Sequence, residues 1–185
     1  MNNMAREAIG NLTTYLLDYY YNGKISFPLN IEEMIINKLQ GRIEPDATLD
    51  MFIDAKIVKS SSNNNHKFTI FINPNLPQTR KNFTLAHELG HLFLHMGFMI
   101  DNAKWEAAPE YIDGAFARNQ YDTGENENQA HEFAGSLLMP AEQYKQFVRD
   151  NAINNQIDVQ GIANYFGVSY DAALVRGKWL GVFNW

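Results

Sequence analysis

The stretch Thr84-Leu85-Ala86-His87-Glu88-Leu89-Gly90-His91-Leu92 sets two histidines four residues apart, with a glutamate directly after the first. On a helix, residues at that spacing share a face, with Cβ atoms about 5–6 Å apart. Two imidazoles so placed can meet one zinc ion at about 2.0–2.1 Å from each nitrogen. Glu88 lies one step round the helix from His87, a poor direction for ligating the same ion and a good one for reaching water beside it. Zinc brings the pKa of water from about 15.7 towards about 7. A carboxylate alongside can take that water's proton and later hand it to a leaving group. The competing description is an ordinary helix face that happens to carry two histidines. Against it stand Leu85, Ala86, Leu89, Leu92 and Phe93, which make the surroundings apolar. They imply that the imidazoles are substantially buried, and buried imidazoles need partners.

Two histidines leave such a centre incomplete, because catalytic zinc usually has three protein ligands. The chain has no cysteine, which removes thiolate ligands and disulfides alike and restricts the third ligand to His, Asp or Glu. A metzincin would need histidine at position 97 and glycine at position 94, and these are Gly97 and Leu94. His95 continues the histidine stripe. Three successive turns of one straight helix diverge from a single tetrahedral ion, so His95 is expected to support a ligand from behind or to belong to the core. Glu127 is the stronger candidate. It opens a helical stretch in which Ala130 and Ala134 lie on its side, and small residues admit the close approach of a second helix. Helix geometry alone leaves the choice between His95 and Glu127 open. Glu125 and Glu132 are expected to be exposed.

The elements that must carry these residues follow from periodicity. Ala5 to Tyr21 places Ile9, Leu12, Leu16, Leu17 and Tyr20 at helical spacing, and Asn22-Gly23 ends it. Pro28-Leu29-Asn30 leads into a short helix with Ile31, Met34, Ile35 and Leu39 on one face and Gly41 as its stop. Met51 to Val58 and Lys67 to Ile72 read as strands joined by a Ser/Asn turn, hence as an antiparallel hairpin. Thr79 to Met96 is the histidine helix. Asn102 to Tyr121 reads mostly as loop with one short helix. Glu125 to Leu138, a helix after Pro140 to about Asp150, Asp158 to Phe166 and Ser169 to Leu180 complete the chain. The expected class is α+β: a small antiparallel sheet packed with the histidine helix, and a helical bundle at the C-terminal end. With 185 residues, 45% hydrophobic and 19% charged, and no long linker or repeat, residues 1–185 are expected to form one domain.

The residues around the motif resemble the ImmA/IrrE family of metallo-endopeptidases. The resemblance is carried by Phe83-Thr84-Leu85-Ala86-His87-Glu88-Leu89-Gly90-His91, by Leu94-His95, and by Glu127, Ala130, Phe133, Ala134, Leu137, Leu138, Met139 and Pro140 at their family spacing. Phe166-Gly167-Val168-Ser169 and Arg176 extend it towards the C-terminus, and it weakens over the first 80 residues. It implies a zincin-like fold, zinc on His87, His91 and Glu127, and Glu88 as catalytic base. It also implies a protein substrate: members, often encoded in mobile elements or stress-response loci, cleave or inactivate a helix-turn-helix DNA-binding repressor. His131 departs from the family, which commonly has asparagine there. Its position one turn after Glu127 admits a supporting role, a transition-state donor or a surface histidine. Some members carry an N-terminal helix-turn-helix, and Met1 to Gly41 shows no such pattern.

Charge narrows the alternatives. Lys plus Arg number 15 and Asp plus Glu 21, a formal charge of -6, which disfavours a general nucleic-acid binder. Val159 to Gly181 could still form a helix-turn-helix. Its second helix would offer bases Tyr170, Asp171, Arg176 and Lys178, with Asp171 near its start carrying the wrong sign. A structural metal site without turnover is a further alternative, though it has no use for Glu88. A metal-dependent amidase acting on a small molecule would look the same in sequence. The start, Met1 to Gly23, lacks the apolar run of a signal peptide or membrane helix, so a cytoplasmic location without membrane attachment is expected.

Overall fold

The computed structural model describes residues 1–49, 53–108, 123–154 and 156–184. They form eight α-helices and a three-stranded sheet in the α+β arrangement expected of a zincin-like domain. The chain groups into two compact units, one made of Met1 and Asn30–Ala134, the other of Asn2–Leu29 and Gly135–Trp185.

In the first unit, Asn30 caps α2 (Ile31–Glu33) by accepting from the Glu33 N–H at 3.0 Å. The helix then widens into a π-helical turn, Met34–Lys38. Ile31, Met34, Ile35 and Leu39 are all buried, as their spacing requires. Gly41 does not stop this helix. The left-handed residue there is Gln40, with φ 57°, and Gly41 opens a strand, β1 (Gly41–Pro45). A side chain at Gly41 would collide with the Phe68 ring, which is the reason for a glycine at that point. β1 was not anticipated: Gly41 was expected as a helix stop, and positions 42–45 were assigned to no element.

The expected hairpin is present: β2 (Ala55–Lys59) pairs antiparallel with β3 (Phe68–Ile72), with Ile57 opposite Ile70. β1 adds to the other edge of β3 in parallel, with Gly41 opposite Phe68, so the sheet is mixed, in the order β1-β3-β2. The apolar run of β3 suits a central strand, and Phe68, Thr69, Ile70 and Ile72 are buried. The strand expected from Met51 begins at Ala55, and positions 50–52 lie outside the described residues.

α3 (Gln78–Gly90) starts after Pro77 and buries Thr84, Leu85, Ala86, Glu88 and Leu89. Ion pairs of Arg80 with Asp54 at 2.6 Å and of Lys81 with Glu32 at 2.7 Å tie its first turns to the segments before β2 and in α2. At His91 the helix opens into a π-helical turn, His91–His95, in which the Met96 N–H donates to the His91 carbonyl at 2.9 Å. Such π segments recur at functional sites. Gly97, with φ 78°, ends the turn. α4 (Asn102–Ala107) is the short helix expected between Asn102 and Tyr121, and positions 109–122 lie outside the described residues. α5 (Thr123–Leu138) follows.

In the second unit, Asn2 caps α1 (Asn3–Tyr21), and Asn22 ends it in the left-handed conformation. α6 (Ala141–Asn151) follows Pro140. α7 (Val159–Phe166) and α8 (Tyr170–Trp179) are capped by Asp158 and Ser169 and joined through Gly167 at φ 67°. Tyr144 is buried, stacks on Phe166 at 5.8 Å and donates its hydroxyl to the Ala173 carbonyl at 2.7 Å. Arg176, one of the four residues that this helix would offer to DNA, is also buried, and its Nε donates to the Met139 carbonyl at 3.1 Å. α8 leaves Tyr170, Asp171, Val175 and Trp179 exposed instead, a poor surface for phosphate contacts. Among the described residues, no helix is long and apolar enough to cross a membrane.

Candidate metal centre

α3 brings His87 and His91 to one face, and α5 delivers Glu127 to the same point. His87 Nε2 and His91 Nε2 are 3.0 Å apart. Glu127 Oε2 lies 3.2 Å from His87 Nε2, and Oε1 lies 3.1 Å from His91 Nε2. A tetrahedral ion at about 2.0–2.1 Å would separate its ligand atoms by about 3.3 Å, close to these spacings. Glu127 Oε1 is buried and has no hydrogen-bond partner despite the nearby nitrogen. The two atoms are close without the direction of a hydrogen bond, which is how lone pairs aimed at a common third point are arranged. A donor set of two imidazoles and one carboxylate suits zinc. Among the described residues, His87, His91 and Glu127 are the one group of His, Asp and Glu able to hold a metal.

The approach of α5 depends on a glycine that spacing did not single out. A Cβ at Gly90 would sit 2.8 Å from the Ala130 Cα, so the glycine and alanine let the two helices touch. Gly90→Val should force α5 away and withdraw Glu127. The expected result is a folded protein whose zinc affinity, measured by chelator competition, falls at least tenfold. Unchanged affinity would mean that helix contact at this point does not set the Glu127 position.

The electrostatics follow from burial and from the shared carboxylate. The two imidazoles beside it, His87 first and His91 next, hold the Glu127 carboxyl well below the usual carboxylate range. Burial works against the charge of both imidazoles, yet they shift in opposite directions. His87 is lowered, because burial and the neighbouring His91 and His131 outweigh Glu127. His91 is raised, because Glu127 and Glu88 together overcome burial. Glu88 is 7% exposed, and burial pushes its carboxyl up to about 7.

The remaining candidates occupy different places. His95 is not in the converging group. Its Nδ1 lies 2.9 Å from His91 Nδ1 and its Nε2 lies 3.2 Å from Gln129 Oε1, so it stands behind His91. Burial and the adjacent His91 bring its pKa down to about 4. His131 is exposed, packs edge-on against His87 with ring centroids 4.5 Å apart, and donates from Nδ1 to the Glu127 carbonyl at 2.8 Å. Glu125 is exposed as expected. Glu132 is not: it is 9% exposed, because its helix is covered on that side as well. Gln129 was missed altogether, since an isolated glutamine gives no spacing signal.

The family model of the IrrE N-terminal-like domain, peptidase family M78, matches residues 50–178. No protein of curated function matches the sequence. Among solved structures, a Mycobacterium tuberculosis transcriptional regulator is similar, with a TM-score of 0.57 and 13% identity over 96% of this chain and 47% of that one. This chain thus spans about half the length of that structure, and the likeness is one of fold. With 129 of its 185 residues inside the family match and the three converging side chains within that span, the chain belongs to the IrrE N-terminal-like family of metallopeptidases.

Proposed function

We propose that the protein is a zinc-dependent endopeptidase that cleaves, and so inactivates, a helix-turn-helix DNA-binding repressor in the cytoplasm. The observation that carries the reading is the buried, unpartnered Glu127 Oε1 facing the same point as two imidazole nitrogens, with Glu88 buried on the same helix. His87, His91 and Glu127 would hold the ion, which when bound polarises water and the scissile carbonyl. Glu88 takes the proton of the attacking water and passes it to the leaving amine. Burial, which raises the proton affinity of the Glu88 carboxyl, suits it to both taking and returning that proton. With its Nδ1–H committed to the Glu127 carbonyl, His131 keeps Nε2 as an acceptor that can orient a substrate N–H beside His87.

Membership of a metallopeptidase family supports a protein substrate over a small amide. The ImmA/IrrE pattern of pairing with repressors supports the substrate class, and a solved transcriptional regulator sharing the fold is in keeping with it. A repressor substrate is found in the cytoplasm. Direct DNA binding by this chain is not favoured, since Arg176 is spent on the Met139 carbonyl. The test is incubation of the zinc-loaded protein with helix-turn-helix repressors encoded beside its gene, with and without chelator, read by mass spectrometry. Fragments from a single cut that disappear with chelator are expected. Intact repressors would sink the substrate assignment, and cutting that survives the chelator would sink the metal.

A further inference from the structure

We propose that Gln129 and His95 are positioning residues that fix the proton of His91 on Nδ1 and so keep its Nε2 lone pair free for the metal. The inference rests on the metal-centre reading and deepens it. A neutral imidazole carries one N–H, and a ring that binds metal through Nε2 must carry it on Nδ1. Nothing in the ring itself enforces that choice. In metal sites it is enforced by whatever the other nitrogen touches.

Here the other nitrogen touches another histidine. His91 Nδ1 and His95 Nδ1 are 2.9 Å apart, and two ring nitrogens at that distance share a single proton. Either ring could hold it, and the far side of His95 decides. His95 Nε2 lies 3.2 Å from the Gln129 side-chain oxygen. The orientation of that amide is set in turn by its nitrogen, which donates to Glu125 Oε1 at 3.4 Å. A carboxylate can only accept, so the amide nitrogen faces Glu125 and the oxygen faces His95. The oxygen can only accept as well. His95 therefore carries its proton on Nε2 and presents a lone pair from Nδ1, and His91 Nδ1–H donates to it. Every donation runs outward from the metal side: His91 to His95, His95 to Gln129, Gln129 to Glu125. Aligned donations polarise one another and raise the basicity of the inner nitrogen.

The relay also gives α5 a second connection to the centre. The helix that supplies Glu127 directly supplies, two residues later, the oxygen that orders His91 from behind. A histidine in the middle of the relay does what a carboxylate or backbone carbonyl does behind most metal-bound histidines, but it has no polarity of its own and must receive one from Gln129.

The test reads the tautomers directly. Two-bond 1H–15N spectra of the ring nitrogens are recorded at about pH 8, where imidazoles are largely neutral, on metal-free and zinc-loaded protein. His95 should be the Nε2–H tautomer in both, and zinc-loaded His91 should carry Nδ1–H. Gln129→Leu should mix the His95 tautomers and weaken zinc about 10–100-fold by chelator competition. Gln129→Glu, which keeps the acceptor, should restore both readings; a merely structural side chain would not control a tautomer in this way. A wild-type His95 protonated on Nδ1, or Gln129→Leu with unchanged zinc affinity, would overturn the relay. A wild-type protein with the Nε2–H tautomer and no zinc binding would leave the relay standing and remove the centre it serves, so the two readings fail separately.

Discussion

Glu88→Gln should keep the metal and the fold while losing about 10²–10⁴-fold of hydrolysis, the range expected for loss of a general base. Glu88 is outside the group whose ligand atoms converge, so an isosteric amide should leave zinc stoichiometry unchanged. The same substitution carries a second, independent signature. Burial raises the Glu88 carboxyl from 4.5 to about 7. The folded state therefore binds the proton more tightly than the unfolded state does. Without metal, the Glu88 contribution to stability is fully present below pH 4.5 and is lost progressively as pH rises through about 7. The neutral glutamine has no such loss. In the presence of chelator, Glu88→Gln should match the wild type near pH 4.5 and exceed it above about 7 by at most a few kcal/mol in urea unfolding. A fully active variant would require another proton acceptor. A variant that is inactive but has also lost its zinc would make Glu88 part of the ligand set.

How much of this was legible in the sequence depended on whether the signal was local. His87, Glu88 and His91 declare themselves, because their chemistry depends on spacing within one helix. Glu127 was half-legible: Ala130 and Ala134 announced a close helix contact, while the direction of the contact came from the family pattern. The matching half of that contact, Gly90, stood inside the motif and was passed over, since a glycine in a helix reads as a weakness until the Ala130 backbone is seen 2.8 Å from where its Cβ would be. β1 was invisible for a related reason. Gly41 read as a helix stop, and only the Phe68 ring lying over it explains a strand there. Glu132 was misjudged because a charged residue was assumed to mark a wet helix face, whereas α5 is covered on more than one side, with Phe133, Ala134 and Leu137 fully buried around it. Gln129 had no signal at all. Its meaning comes from a contact with His95 across 34 positions of sequence, and no periodicity reaches that far.

Glu127→Ala should lower zinc affinity by more than any other single change on α5, beyond the 10–100-fold typical of residues that only support a ligand. The wild type should retain about one zinc ion per chain after dialysis, and His87→Ala and His91→Ala should each lose it. Truncating Glu127 removes two oxygens that lie 3.1 and 3.2 Å from the two ring nitrogens, and nothing else on its helix can replace them. Glu125 is two residues away, about 200° round the helix, and Glu132 is five away, about 140° round. Glu125→Ala should therefore cost zinc affinity only what its hold on the Gln129 amide is worth, no more than Gln129→Leu and far less than Glu127→Ala. Glu132→Ala should also keep its zinc. Because Glu132 is 9% exposed, its cost should appear in the unfolding midpoint instead. His95→Phe falls between these cases: it should weaken zinc, because His91 Nδ1–H loses its acceptor, but by less than Glu127→Ala. Chelator competition across the four variants, alongside thermal unfolding in excess chelator, separates the two kinds of loss. If His95→Phe releases the metal and Glu127→Ala does not, the third ligand comes from the histidine helix itself. α5 would then be a packing partner and not part of the centre.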